Sequence, residues 1–207
     1  MKSKRLRIMA VACLLSGGFW AGCAGSMPPN YYTLSPMESA SAGDALRTSP
    51  LEALKIGVGP IRFPEALDRQ HIVTRSGQNR LKINEYQRWG GSLESNFKRV
   101  LVDNLSLLLG SDLVIGLPWG SYFEPDYKVI IEVSEFDGRL GKSATLNATW
   151  MIVGKANNKP LLVRRTIIQE AVSQNDYDAL VAALSQTAAG LSREIAKALA
   201  ELPGTPP

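Results

Sequence analysis

The stretch RWGGSLESNFKRVLVDNLSLLLG, Arg88 to Gly110, decides the fold, because along it the hydrophobic pattern takes on the period of a helix. Leu93, Phe97, Val100, Leu101, Leu105, Leu108 and Leu109 recur at steps of three and four residues, which lines up one apolar helical face. Ser92 is placed to cap the start, Glu94 complements the dipole there, and Gly110 suits the residue just past the end.

Upstream, LKIGVGPI, HIVTR and RLKI lie between Leu51 and Ile83. Each is of strand length, carries β-branched residues and is bounded by Gly, Pro or Asn. Downstream, SDLVIGLPW gives another short strand. YKVIIEVSEFDG alternates Tyr127, Val129, Ile131 and Val133 against Lys128, Glu132 and Ser134, which predicts a half-buried strand. SATLNATWMIVGK and PLLVRRTIIQEAV flank ANNK, where Asn157 and Asn158 tolerate left-handed backbone angles, so an antiparallel hairpin is expected. From Asp176 to about Leu202 a second helical period places Leu180, Leu184, Leu191, Ile195 and Leu199 on one side, with Gly190 and many alanines permitting close packing. Strands, helix, strands, helix predict an α+β fold, with a mostly antiparallel sheet and two long helices packed on one face. Ser35 to Pro50, rich in Ser, Ala and Pro and without periodicity, reads as a long surface loop.

The net charge of +4 has a local origin. Residues 1–22 contain Lys2, Lys4, Arg5 and Arg7 and no acid, so of 23 basic and 19 acidic side chains, 19 of each remain beyond them. A near-neutral body carries no electrostatic footprint for nucleic acid. KSKRLR followed by the apolar run IMAVACLLSGGFWAG and small residues reads as an export signal, shorter than the roughly 20 apolar residues a span needs. Ordinary signal cleavage competes with lipoprotein processing, in which a cysteine thiol takes a diacylglyceryl group and the chain is cut just before it. WAGC supplies Ala21, Gly22 and Cys23 for the second route, with Trp20 where Leu is usual. Cys13, in AVAC, has too short an apolar run before it. The organisation expected is a lipoprotein signal over residues 1–22, a lipidated tether over 23–30 that begins at Cys23, and one domain over 31–207.

Catalytic patterns are sparse. The only cysteines are Cys13 and Cys23, so no thiolate site can form downstream. His71 is the single histidine and needs partners that sequence cannot place. LGKSA, Leu140 to Ala144, lacks the upstream glycine spacing of a phosphate-binding loop and precedes a strand pattern, so it reads as a hairpin turn. Glu132 with Glu135, and Asp176 with Asp178, read as solvated or helix-start carboxylates. Neither an enzyme activity nor a cofactor or metal site is expected.

VGPIRFPEALDRQHIVTR, Val58 to Arg75, is followed in order by Arg88-Trp89, Leu117 to Trp119, Phe136 to Gly138 and Leu146 to Trp150, with YYTL early in the chain. This series resembles the ABC-type transport auxiliary lipoproteins, the PqiC-like family. The resemblance implies a periplasm-facing lipoprotein that works beside an MCE-domain protein and an integral membrane permease in moving lipid between the two membranes of a Gram-negative bacterium and supports membrane integrity. It implies attachment to the membrane through acyl chains such as palmitate on Cys23, and it allows a homo-oligomer. Ala24 stands where Asp would signal inner-membrane retention, which points to the outer membrane. Trp89, Trp119 and Trp150 are expected as packing anchors, with Leu67, Ile72 and Val73 in the core. Arg69, Gln70 and Arg75 form the candidate interaction surface around a short strand, while Asp68 is assigned a local structural role. An alternative function is a periplasmic module that itself binds a lipid or small amphiphile, which requires an apolar cavity between sheet and helices.

Overall fold

The computed structural model describes residues 27–38, 54–156 and 159–202. Its elements in chain order are β1 (Asn30–Tyr32), β2 (Ile56–Arg62), β3 (His71–Arg75), β4 (Leu81–Trp89), α1 (Leu93–Leu109), β5 (Val114–Gly116), β6 (Tyr127–Arg139), β7 (Ser143–Gly154), β8 (Pro160–Ala171) and α2 (Tyr177–Ala200). Cys23, Asn157 and Asn158 lie outside the described residues.

The first helix begins and ends for the expected reasons, and the second begins at the expected residue. The Ser92 hydroxyl accepts the Ser95 N–H at 3.0 Å, and Gly110 closes α1 at φ 62°, with its N–H donating to the Ser106 carbonyl. The Asp176 carboxylate accepts the Ala179 N–H at 2.8 Å at the start of α2. The two helices pack against each other, α1 over β2 and β5, and α2 over β6, β7 and β8. Gly190 permits that approach, since a Cβ there would lie 2.9 Å from Ile168 Cδ1.

The eight strands form one mixed sheet in which β6 is the branch point. One edge of β6 pairs along its length with β7, which pairs in turn with β8, both antiparallel. Its other edge is shared, with β2 parallel along the first half and β3 parallel at Thr74 opposite Gly138. β2 continues to β5 in parallel; β3 pairs antiparallel with β4, and β4 takes β1 in parallel. The expectation of a mostly antiparallel sheet is therefore corrected. Hairpin partners adjoin in sequence and can be read from it, whereas parallel neighbours need long crossovers and are joined only in the folded chain. β4 is also longer than RLKI suggested, because Asn84 to Arg88 are polar and no more than partly buried, which leaves no apolar alternation to read.

One core fills the space between sheet and helices. Leu34, Phe97, Leu101, Leu105, Ile131, Leu146, Trp150 and Ile152 are essentially without solvent contact. Phe63, Phe97 and Phe136 meet edge to face at ring separations of 5.1 to 6.0 Å. Leu67, Ile72 and Val73 are buried as expected. At the junction of β2 and β6 the register shifts between Val58 and Ile61, where Gly59 adopts φ 124° and Pro60 has no N–H to donate.

Residues 33–37, which run into the expected surface loop at Ser35, are fastened across both helices. The Thr33 hydroxyl donates to Asn96 Oδ1 at 3.1 Å, and the Leu34 carbonyl accepts from Arg99 at 2.7 Å. The Ser35 N–H donates to the Ser185 hydroxyl at 3.1 Å, and the Met37 N–H to Asn104 Oδ1 at 2.7 Å. Leu34 has no solvent exposure, so this segment is a strap anchored in the core.

Candidate functional site

The turn from Pro64 to Gln70 delivers the candidate polar residues to the end of β3. It is held by the Leu67 and Asp68 N–H groups donating to the Pro64 carbonyl, and by Arg69 N–H donating to the Leu67 carbonyl. The Trp89 N–H then donates to the Gln70 carbonyl at 2.7 Å, and the Gly90 N–H to the Tyr32 carbonyl at 2.8 Å. These bonds tie the turn, β1 and the end of β4 together. Between them opens a surface cleft of about 520 Å³.

The exposed side chains of Asp68, Arg69 and Gln70 form one wall, and Tyr31 and Trp89 contribute aromatic surface. Gly90, Gly91 and the helix cap Ser92 form the rest. A Cβ at Gly91 would meet nothing within 4 Å, and one at Gly90 only the Tyr32 carbonyl at 3.5 Å, so the space before the two glycines is open. The cleft thus offers a guanidinium, a carboxamide, a carboxylate and a phenol beside an aromatic surface. Such a mixture of donors, acceptors and rings suits contact with a polypeptide.

Arg75 lies apart from this cleft, at the far end of β3. Its Nε donates to the buried Asp137 carboxylate at 2.7 Å and lies 3.3 Å from Glu135. The hydrogen bond to Asp137 raises the Arg75 pKa further above its ordinary range, burial opposes this, and the charges of Asp137 and Glu135 add to the increase. The fold therefore separates the three residues grouped from sequence: Arg69 and Gln70 share a cleft, and Arg75 joins β3 to β6. Asp68 lines the cleft and uses its backbone N–H in the turn.

Trp89 and Trp150 are buried, and Trp150 Nε1 donates to the Thr166 hydroxyl at 3.0 Å, which donates onward to Glu194. Trp119 is half-buried, with its ring 6.3 Å from that of Phe123. His71 is half-buried at the start of β3, opposite Arg88. Among the described residues no three His, Cys, Asp or Glu side chains are placed to hold a metal ion. No helix of the described residues is long and apolar enough to cross a membrane. The parts of the cleft not singled out from sequence are Tyr31 and the glycine pair. WGGS between strand and helix periods was the available signal, since two adjacent glycines leave side-chain space unfilled.

Residues 32–196 match the family described as ABC-type transport auxiliary lipoprotein component. The chain is 28% identical over 181 residues to the intermembrane transport lipoprotein PqiC of Escherichia coli K12, covering 84% of this chain and 91% of that protein. The protein of the same name from Shigella flexneri matches equally. Among solved structures, an uncharacterized protein superposes with a TM-score of 0.66 at 22% identity, covering 84% of this chain and 99% of the other. A Xanthomonas campestris protein superposes with a TM-score of 0.67 at 16% identity, covering 81% and 92%. These two likenesses show the shared fold.

Proposed function

The chain belongs to the ABC-type transport auxiliary lipoprotein family, and from that premise we propose that it docks an intermembrane lipid-transport conduit to the outer membrane. In this reading Cys23 carries the acyl chains, the domain faces the periplasm, and an MCE-domain protein served by a membrane permease is the partner. Its role is mechanical and non-enzymatic, and its loss weakens the envelope barrier.

The observation that carries this reading is the strap. Within a few residues of the tether the chain enters the sheet as β1 and is then bonded to both helices through Leu34, Ser35 and Met37. A load applied at Cys23 therefore reaches sheet, α1 and α2 together. Two or more acyl chains hold stably, whereas one binds only marginally, at about 0.8 kcal/mol per buried CH₂. The cleft of Arg69 and Gln70 is assigned to the partner, because its mixed polar and aromatic lining fits a protein surface. A module that itself holds a lipid or small amphiphile has less support, since the space between sheet and helices is occupied by Phe97, Leu105, Leu146 and Trp150.

Affinity capture of the tagged, membrane-anchored protein tests the docking role. An MCE-domain protein is expected in the eluate, and Arg69→Glu combined with Gln70→Ala is expected to lower its recovery about tenfold, the effect of losing roughly 1.4 kcal/mol. Unchanged recovery with the double variant would remove the cleft from the interface; no MCE-domain protein in the eluate would remove the docking role.

A further inference from the structure

At the other end of β3 and β4 from that cleft is a second one, of about 250 Å³, whose lining includes Arg75, Lys82, Arg139, Lys142 and Asn175 and no carboxylate. We propose that this basic cleft binds a phosphate group, presented by a phospholipid headgroup or as the free anion. Four cations converge there from β3, β4, β6 and the β6–β7 turn. Arg75 is already matched by Asp137 and Glu135, at 2.7 and 3.3 Å. Lys82, Arg139 and Lys142 have no acidic partner within ion-pair distance among the described residues, where the other ion pairs join other side chains. Of the acids on neighbouring elements, Asp176 caps α2 through the Ala179 N–H, while Asp178 and Glu170 do not line the cleft.

The cations are carried on fixed backbone. Lys142 N–H donates to the Arg139 carbonyl at 3.0 Å, Gly141 N–H to the Gln174 carbonyl at 3.1 Å, and Val172 N–H to the Lys142 carbonyl at 3.0 Å. Gly141 makes this turn at φ 64°, which a side chain would strain. Lys82 is positioned by pairing with Thr74, whose hydroxyl donates to the Lys82 carbonyl at 3.2 Å. Like charges held together repel, and an oxyanion with several acceptor oxygens relieves the repulsion while satisfying the Arg fork and both ammonium groups. Lys142 belongs to the LGKSA segment, which is a β-turn followed by β7 and not a nucleotide-binding loop.

The test uses the processed lipoprotein purified in a neutral detergent, titrated separately with glycerophosphoglycerol and with inorganic phosphate, both of which stay out of micelles. Binding is followed by ³¹P line width and calorimetry. Binding of either probe is expected, weakened about five-fold by Lys82→Gln or Lys142→Gln alone and further by the pair, with unaltered thermal melts because both side chains are exposed. Preference for glycerophosphoglycerol assigns a headgroup; preference for inorganic phosphate assigns the free anion. Binding of neither, or binding that both substitutions leave unchanged, overturns the site, while the docking role stands or falls separately on partner capture.

Discussion

A methyl group added at Gly138 would lie 2.5 Å from the Ser143 carbonyl oxygen, 2.7 Å from Leu180 Cδ1 and 2.9 Å from Ala144 Cα. Two of those neighbours are backbone and cannot swing away, so β6, β7 and α2 would have to separate. Gly138→Ala is expected to lower stability by about 1–3 kcal/mol in urea unfolding, whereas Gly91→Ala, with nothing in the way, should leave it nearly unchanged. Tyr32 supplies a pH-dependent contribution. Burial first, then the charges of Asp178, Tyr177 and Asp176, hold its phenol above the ordinary 10.0, and its hydroxyl donates to Gln87 Oε1 at 2.6 Å. A group whose pKa is raised on folding contributes stability that is fully present below its unfolded value and is lost as pH rises through the folded value. Stability should therefore fall above about pH 10 through this group, and the Tyr32→Phe variant should show a shallower alkaline decline in melts taken from pH 9 to 11. Arg75 follows the same sign, but its guanidinium titrates above that range, raised further by the hydrogen bond to Asp137, so its contribution stays intact throughout it.

The strap is held to the helices by a few polar contacts, those to Asn96, Asn104 and Ser185 at buried positions, which makes it sensitive to deletions that the helices themselves tolerate. Asn104 has no solvent exposure, accepts the Met37 N–H and donates to the Ser192 hydroxyl at 3.2 Å. Asn104→Ala leaves both partners without it and should cost about 1–3 kcal/mol. Amide hydrogen exchange at Ser35 to Met37 should accelerate more than exchange in β7, because the strap would open locally before the sheet does. Were the strap a passive loop, the two regions would respond alike. The helix periods around Leu93 and Leu180 were legible because each helix shows the core one continuous apolar stripe. The strap left no such trace, since its attachment runs through backbone groups and through Ser, Thr and Asn side chains that have no period.

On the proposed reading, a near-neutral body depends on acyl chains at Cys23 for its place at the membrane. Cys23→Ser is expected to move the protein from the membrane pellet to the soluble fraction while its melting temperature stays within a few degrees, since the core formed by the described residues, from Leu34 to Leu199, does not involve it; continued membrane retention of the variant would count against lipid anchoring at this residue. The chain's own residues were enough to assign α+β class, the two caps of α1, the start of α2 and the β7–β8 hairpin, because caps and periods act between residues close in sequence. The order of motifs from Val58 to Trp150 was enough for the family. The parallel pairings of β2 with β5 and β6, the branching of the sheet at β6, and the separation of Arg75 from Arg69 and Gln70 were decided by the tertiary structure. Arg75 is only five residues from Gln70, yet a strand at about 3.3 Å per residue carries it to the opposite end of the sheet. There it neutralises Asp137, a partner 62 residues away, and stands beside three cations brought from separate strands and a turn. Contacts of that range depend on which crossovers close the core, and local pattern carries no record of them.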